Sequence, residues 1–126
     1  MSKRDLKLYI KDILNAIDSI EQFIEGMNYE DFIKDDKTSS AVIRKFEIIG
    51  EASKNIPVNF KKKYSDVQWK EMAGFRDKLI HFYFGIKYEL VWETIKLKLP
   101  ALKIRLAEIL NDLNQKKKNF SDGRQA

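Results

Sequence analysis

Apolar residues recur at helical spacing along nearly the whole chain, and two long stripes constrain it most. Leu6, Ile10, Ile13, Ile17, Ile20 and Ile24 step by four and three residues, as do Val91, Ile95, Leu99, Leu102, Leu106, Ile109 and Leu113. That period puts each set on one face of an α-helix, and a one-sided helix must bury its stripe against another element. No segment alternates as a strand would, and no internal repeat is visible. The chain is therefore predicted to be all-α, an antiparallel bundle of four to five helices joined by short loops. Such bundles host many functions, so architecture alone decides nothing about chemistry.

Punctuation along the chain divides it further. Gly26 stops the first stripe, and Asn28 to Asp36 reads as a connector with a short helical turn. Val42, Phe46, Ile49, Ser53 and Ile56 form a second stripe, with Thr38, Ser39 or Ser40 as candidate caps and Pro57 as its stop. Val58 to Gln68 holds Lys61, Lys62 and Lys63 with weak periodicity and reads as a solvated loop. Ser65 or Asp66 would cap a third helix beginning near Trp69. The last stripe passes through Pro100, which predicts a kink there or two abutting helices with Pro100 in the first turn of the second.

At 126 residues the chain has the length of one domain. Its 44% hydrophobic content can build a core, and 34% charged residues leave no 18-residue apolar run to span a membrane. Charges interrupt the apolar positions of the N-terminus, which does not read as a signal peptide, so a cytoplasmic chain is expected. Without cysteine there is no disulfide framework, thiolate metal site or cysteine nucleophile. The net charge is +5, but residues 115–126 carry three lysines and an arginine against one aspartate. The reading is one helical domain over 1–114 followed by a basic, flexible tail over 115–126. Excess positive charge suits a polyanion; a solvated tail explains it equally.

Chemistry concentrates at one place. The single histidine, His81, lies in Gly74-Phe75-Arg76-Asp77-Lys78-Leu79-Ile80-His81-Phe82-Tyr83-Phe84-Gly85. A lone histidine is more often structural than catalytic, and Arg76 and Tyr83 could equally be a salt-bridge and a core residue. On a helix, Asp77 and His81 lie one turn apart on the same face, so the carboxylate could orient the imidazole. Arg76 and His81 instead differ by ~140° around the axis, so one straight helix does not aim both at one small group. Either the helix ends near His81, or two copies face each other across a two-fold dimer and build one composite cleft. The chemistry that fits is RNA cleavage without a metal. The imidazole moves the 2′-hydroxyl or leaving-group proton, and the guanidinium stabilises the phosphorane-like transition state. No cluster of His, Cys and carboxylates has metal-ligand spacing.

Arg76-x4-His81-x-Tyr83 resembles the R-x4-H-x-Y signature of HepT proteins in the HEPN superfamily. Ile48-Ile49-Gly50-Glu51-Ala52, Ile56-Pro57 and Trp69-Lys70-Glu71-Met72-Ala73-Gly74-Phe75-Arg76-Asp77 are similar to the same family, and the likeness runs from the first helix to about Leu113. It implies a HEPN-like, dimeric fold and a metal-independent endoribonuclease with Arg76 and His81 as catalytic residues, Asp77 at the polar position after the arginine, and no cofactor. It further implies a toxin paired with a minimal nucleotidyltransferase antitoxin, MntA, which transfers AMP from ATP onto the motif tyrosine, here Tyr83. A bulky anion two residues from His81 would block the cleft and repel RNA. Glu51 is either a surface carboxylate beside a tight Gly-Ala packing step or a hydrogen-bond partner of the motif arginine or histidine. Trp69, Phe75, Phe82, Phe84 and Trp92 read as core or dimer-interface residues rather than base-stacking platforms. Two other readings remain: a catalytically inactive helical partner of a nucleotidyltransferase, and a plain bundle whose histidine is buried.

Overall fold

The computed structural model describes the backbone of residues 3–81 and 88–125, and the side chains of residues 5–75, 77–78 and 88–115. Among these residues every regular element is helical. The elements are α1 (Lys3–Phe23), α2 (Tyr29–Lys34), α3 (Asp36–Asn55), α4 (Val58–Lys63), α5 (Trp69–His81), α6 (Tyr88–Glu93), a π-helical turn (Thr94–Lys98) and α7 (Leu99–Gln125). The long helices α1, α3, α5 and α7 carry the bundle; α2 and α4 are short connectors, and α6 runs through the π turn straight into α7. The fold class is the all-α one expected for a HEPN-like chain.

Both stripes face inward. Ile10, Ile13, Ile17 and Ile20 of α1 and Leu106 and Ile109 of α7 are completely buried, each contributing about 1.5–3 kcal/mol by leaving water. α3 packs against both α1 and α5, and α1 also meets α7. Val42, Phe46, Ile49, Ser53 and Ile56 are buried as their spacing required. The Ser53 hydroxyl donates to Ile49 O at 2.7 Å, which satisfies it inside the core. Beyond α1 the chain turns at Gly26, whose φ of +77° is left-handed and strained for any residue with a Cβ. Asn28 and Asp31 then form a reciprocal capping box at the start of α2. Phe32, fully buried, stacks that short helix against Trp92 at 5.2 Å between ring centroids.

Three local expectations need correction. α3 begins at Asp36, and its cap is Asp35: that carboxylate accepts from Thr38 N at 3.0 Å and from the Thr38 hydroxyl at 2.8 Å. These bonds hold its carboxyl below the usual carboxylate range. Thr38, Ser39 and Ser40 are inside the helix, the Ser39 hydroxyl donating to Asp36 O. The lysine-rich stretch after Pro57 contains helix α4. Phe60, Tyr64 and Val67 along this stretch are buried, a spacing of four and three that the run of three lysines obscures. Asp66 does not cap α5; its carboxylate accepts from Arg105 Nε at 2.6 Å and Nη2 at 3.3 Å.

Other expectations stand. α3 closes at Asn55, with Ile56 extended ahead of Pro57 (φ −75°, ψ 132°). Pro100 falls in the first turn of α7, directly after the π turn. There Leu99 N–H bonds Thr94 O five residues back, and the widened turn admits a residue that has no N–H and whose ring crowds the preceding turn. The backbone of α7 continues through Gln125, so the segment read as a tail carries helical backbone. No described helix is long and apolar enough to cross a membrane.

Candidate active site on the α3–α5 pair

α5 carries Arg76, Asp77 and His81 within one continuous helix, so the ~140° separation between Arg76 and His81 holds for their backbones. The side chains of Arg76 and His81, and all of Tyr83, lie outside the described residues. So do Phe82 and Phe84.

What holds α5 is its contact with α3. The Phe46 and Phe75 rings meet edge to face at 4.9 Å, a favoured geometry for an aromatic pair. Gly50, Ala52 and Ser53 are buried on α3, small residues that let another helix approach, and the Ser53 hydroxyl lies 3.8 Å from the Met72 sulfur on α5. The Trp69 indole N–H donates to Tyr64 O at 3.1 Å and anchors the start of α5. Trp69 is buried, and Phe75 and Trp92 are half-buried against the core, as packing residues would be.

Polar groups line the outside of this joint. Glu51 is exposed on α3 between the buried Gly50 and Ala52; its main-chain carbonyl accepts from the Asn55 amide at 2.9 Å. Three residues along, Lys54 Nζ reaches across to α5 and lies 3.2 Å from Asp77 Oδ1. Both side chains of that pair are about half exposed, 41% and 48%. The structure therefore gives Asp77 a partner from the neighbouring helix that sequence reasoning missed. No local signal pointed to it, since Lys54 and Asp77 are 23 residues apart and only the packing of α3 on α5 brings them together.

A cavity of about 520 Å³ opens elsewhere on the same helix, lined by Phe46, Ile49, Met72, Phe75, Leu90 and Leu102. Ion pairs Glu71–Lys98 and Asp66–Arg105 stand at its rim. The Arg105 guanidinium holds the Asp66 carboxyl below its ordinary range, and Asp66 in turn raises Arg105. Phe75 and Asp77 are ~160° apart around α5, so the apolar cavity and the polar Lys54–Asp77 joint occupy different faces.

Comparison with known proteins adds a family. Residues 13–109 match the HepT-like family model, described as "Ribonuclease HepT-like". The chain is 52% identical over 101 residues to "Probable ribonuclease HepT" of Thermococcus cleftensis, covering 80% of this chain and 92% of that one. It is 47% identical over 116 residues to "Putative RNase MJ0125" of Methanocaldococcus jannaschii, covering 92% of this chain and all of the relative. A third relative, "Putative RNase TTE0752" of Caldanaerobacter subterraneus subsp. tengcongensis, is 47% identical over 102 residues, 81% of this chain and 91% of its own. No solved structure gives a significant match.

Proposed function

The chain belongs to the HepT-like ribonuclease family, and from that premise we propose that it is a metal-independent endoribonuclease acting as the toxin of a toxin–antitoxin pair. The observation that carries the reading is the family match, which spans the whole α3–α5 pair and every residue of Arg76-x4-His81-x-Tyr83.

His81 is the general acid/base. Its imidazole can take the proton from a ribose 2′-hydroxyl and return one to the leaving 5′-oxygen. The 2′-oxygen attacks the adjacent phosphorus, the P–O5′ bond breaks, and a 2′,3′-cyclic phosphate and a 5′-hydroxyl result. Arg76 supplies two N–H donors to the charge that builds on the phosphorane oxygens. Asp77 and Glu51 support these two from α5 and α3. Since Arg76 and His81 leave α5 ~140° apart, two protomers meeting about a two-fold axis bring both arginines and both histidines into one composite cleft. DNA, lacking the 2′-hydroxyl, is spared.

Control runs through Tyr83. Its phenolate oxygen attacks the α-phosphorus of ATP on a minimal nucleotidyltransferase of the MntA kind, pyrophosphate leaves, and AMP remains on the tyrosine. The added anion closes the cleft to RNA. The testing experiment incubates purified protein with RNA, DNA and fully 2′-O-methylated RNA of one sequence in excess EDTA. Cleavage of the unmodified RNA alone is expected. Cutting of the DNA or methylated strand would rule out 2′-hydroxyl attack, and no cutting at all would favour an inactive binding partner of the nucleotidyltransferase.

A further inference from the structure

One face of α5 stands open around Gly74, where an added Cβ would meet no described atom within 4 Å. Lys70, Gly74 and His81 leave the backbone within ~40° of one another around the axis, and Lys70 and His81 within ~20°. Lys70 is exposed. Met72, which touches Ser53 of α3, leaves ~160° from Lys70, so this row faces away from that joint. Charge is lopsided at the start of the helix. Asp66 and Glu71, the carboxylates that flank Trp69 along the chain, are matched by Arg105 and Lys98. The lysines are not: among the described residues, Lys61 and Lys62 of α4 and Lys70 of α5 form no ion pair with a carboxylate. The Phe60 and Trp69 rings, 6.2 Å apart between centroids, hold α4 at this end of α5. A surplus of cations beside an open helix face suits a polyanion.

We propose that Lys70 is a positioning residue that holds an RNA phosphate remote from the scissile one, the strand running along α5 past Gly74; the inference rests on the ribonuclease reading and extends its binding site. From Lys70 to His81 the helix rises ~16.5 Å. A single strand covers that distance in about three to five nucleotides, at ~3.4 Å each when stacked and nearly twice that when extended. Gly74, between the two, leaves room for the sugar–phosphate chain to pass close to the helix. An ammonium grips phosphate as a point charge and reads no base edge. Lys70 therefore sets the grip and register of the strand without choosing its sequence.

The experiment uses about a dozen 2′-O-methyl nucleotides with one unmethylated ribose at the centre, so that 2′-hydroxyl attack cuts at a single phosphate. Uncharged methylphosphonate linkages are placed along it one at a time. kcat and KM are measured for wild type, Lys70→Met and Lys11→Met, the last removing the same charge from an exposed position on α1; circular dichroism checks each fold, and Lys70→Gln replaces Lys70→Met if the latter misfolds. Wild type should lose about three- to tenfold in kcat/KM when the neutral linkage lies three to five nucleotides from the cut on one side. Lys70→Met should lose as much on the fully charged strand, mainly through KM, and nothing further from the neutral linkage there, since both changes remove one contact. Its binding should also depend less on salt, by about 0.7 in the slope of log K against log salt. Additive losses from the two changes, an equal loss in Lys11→Met, or wild-type cutting by Lys70→Met would each overturn the proposal. A loss in Lys70→Met that comes with a smaller oligomer on size-exclusion chromatography would overturn it too, assigning Lys70 to a protein interface. If total RNA is cut and the methylated strand is not, an all-ribose strand read cut by cut on a sequencing gel takes its place. Wild type that cuts no RNA at all sinks the ribonuclease reading; wild type that cuts RNA with no sensitive linkage three to five nucleotides away sinks only the role of Lys70.

Discussion

Gly74 sits in the middle of α5, two residues before Arg76, and its φ is not in the left-handed region. A Cβ built there meets no described atom within 4 Å. A glycine in ordinary helical backbone with open space around it destabilises the helix by roughly 0.5–1 kcal/mol relative to alanine, through the unfolded chain's greater freedom. Gly74→Ala should therefore stabilise the protein by about that amount, which for a domain of this size raises Tm by roughly 2–5 °C. Urea unfolding followed by circular dichroism checks it: the midpoint should rise with the slope unchanged. A lower midpoint would refute the reasoning, since it would mean that the space beside Gly74 is filled within the folded chain. A higher midpoint joined to a loss of RNA cleavage would be informative in another way. It would show that RNA or a second protomer uses the gap, which a methyl group then occupies.

Other outcomes follow from the geometry. Phe32→Ala should cost about 3–5 kcal/mol, because α2 has only six residues and its buried ring against Trp92 is what docks it; chemical denaturation measures the loss, and one below about 1 kcal/mol would contradict the packing described. Asp66 has a folded-state pKa below its unfolded value, so its stabilising contribution is complete above the unfolded carboxylate range of about 4 and disappears as pH falls through the folded value. Stability should accordingly fall on acidification, and Asp66→Asn should flatten that fall in urea midpoints compared between pH 6 and pH 3. Tyr83→Phe, coexpressed with a cognate nucleotidyltransferase, should lack the AMP mass increment in an intact-mass spectrum and remain toxic to the host; an increment that persists would place the modification elsewhere.

The long elements were legible because isoleucine and leucine at steps of three and four leave a helix only one way to hide them. Gly26 and Pro57 announced the ends of α1 and α3 through backbone geometry that few other residues share. α4 was not legible, since a run of three lysines dominates a six-residue helix whose Phe60 belongs to a pattern completed only by Tyr64 and Val67 beyond its end. Caps were displaced for a related reason: Asp35, Thr38, Ser39 and Ser40 are all competent, and the choice among them depends on where α3 meets its neighbours. Asp66 could not be recognised as an Arg105 partner, because 39 residues separate them and only tertiary packing brings α7 alongside. At the site, the motif on α5 was readable as a pattern of residue types. Lys54 was not, since nothing local connects it to Asp77, 23 residues away.

The central claim is that His81 moves the protons of RNA cleavage without help from a metal. The direct measurement incubates protein purified free of antitoxin with total RNA in excess EDTA, beside His81→Ala protein shown by circular dichroism to be folded. Wild type should cut and leave 2′,3′-cyclic phosphate ends, and the variant should lose at least a hundredfold in rate, the scale of a missing general acid/base. Equal cutting by the folded variant, or wild-type cutting abolished by EDTA and restored by a divalent cation, would contradict the account.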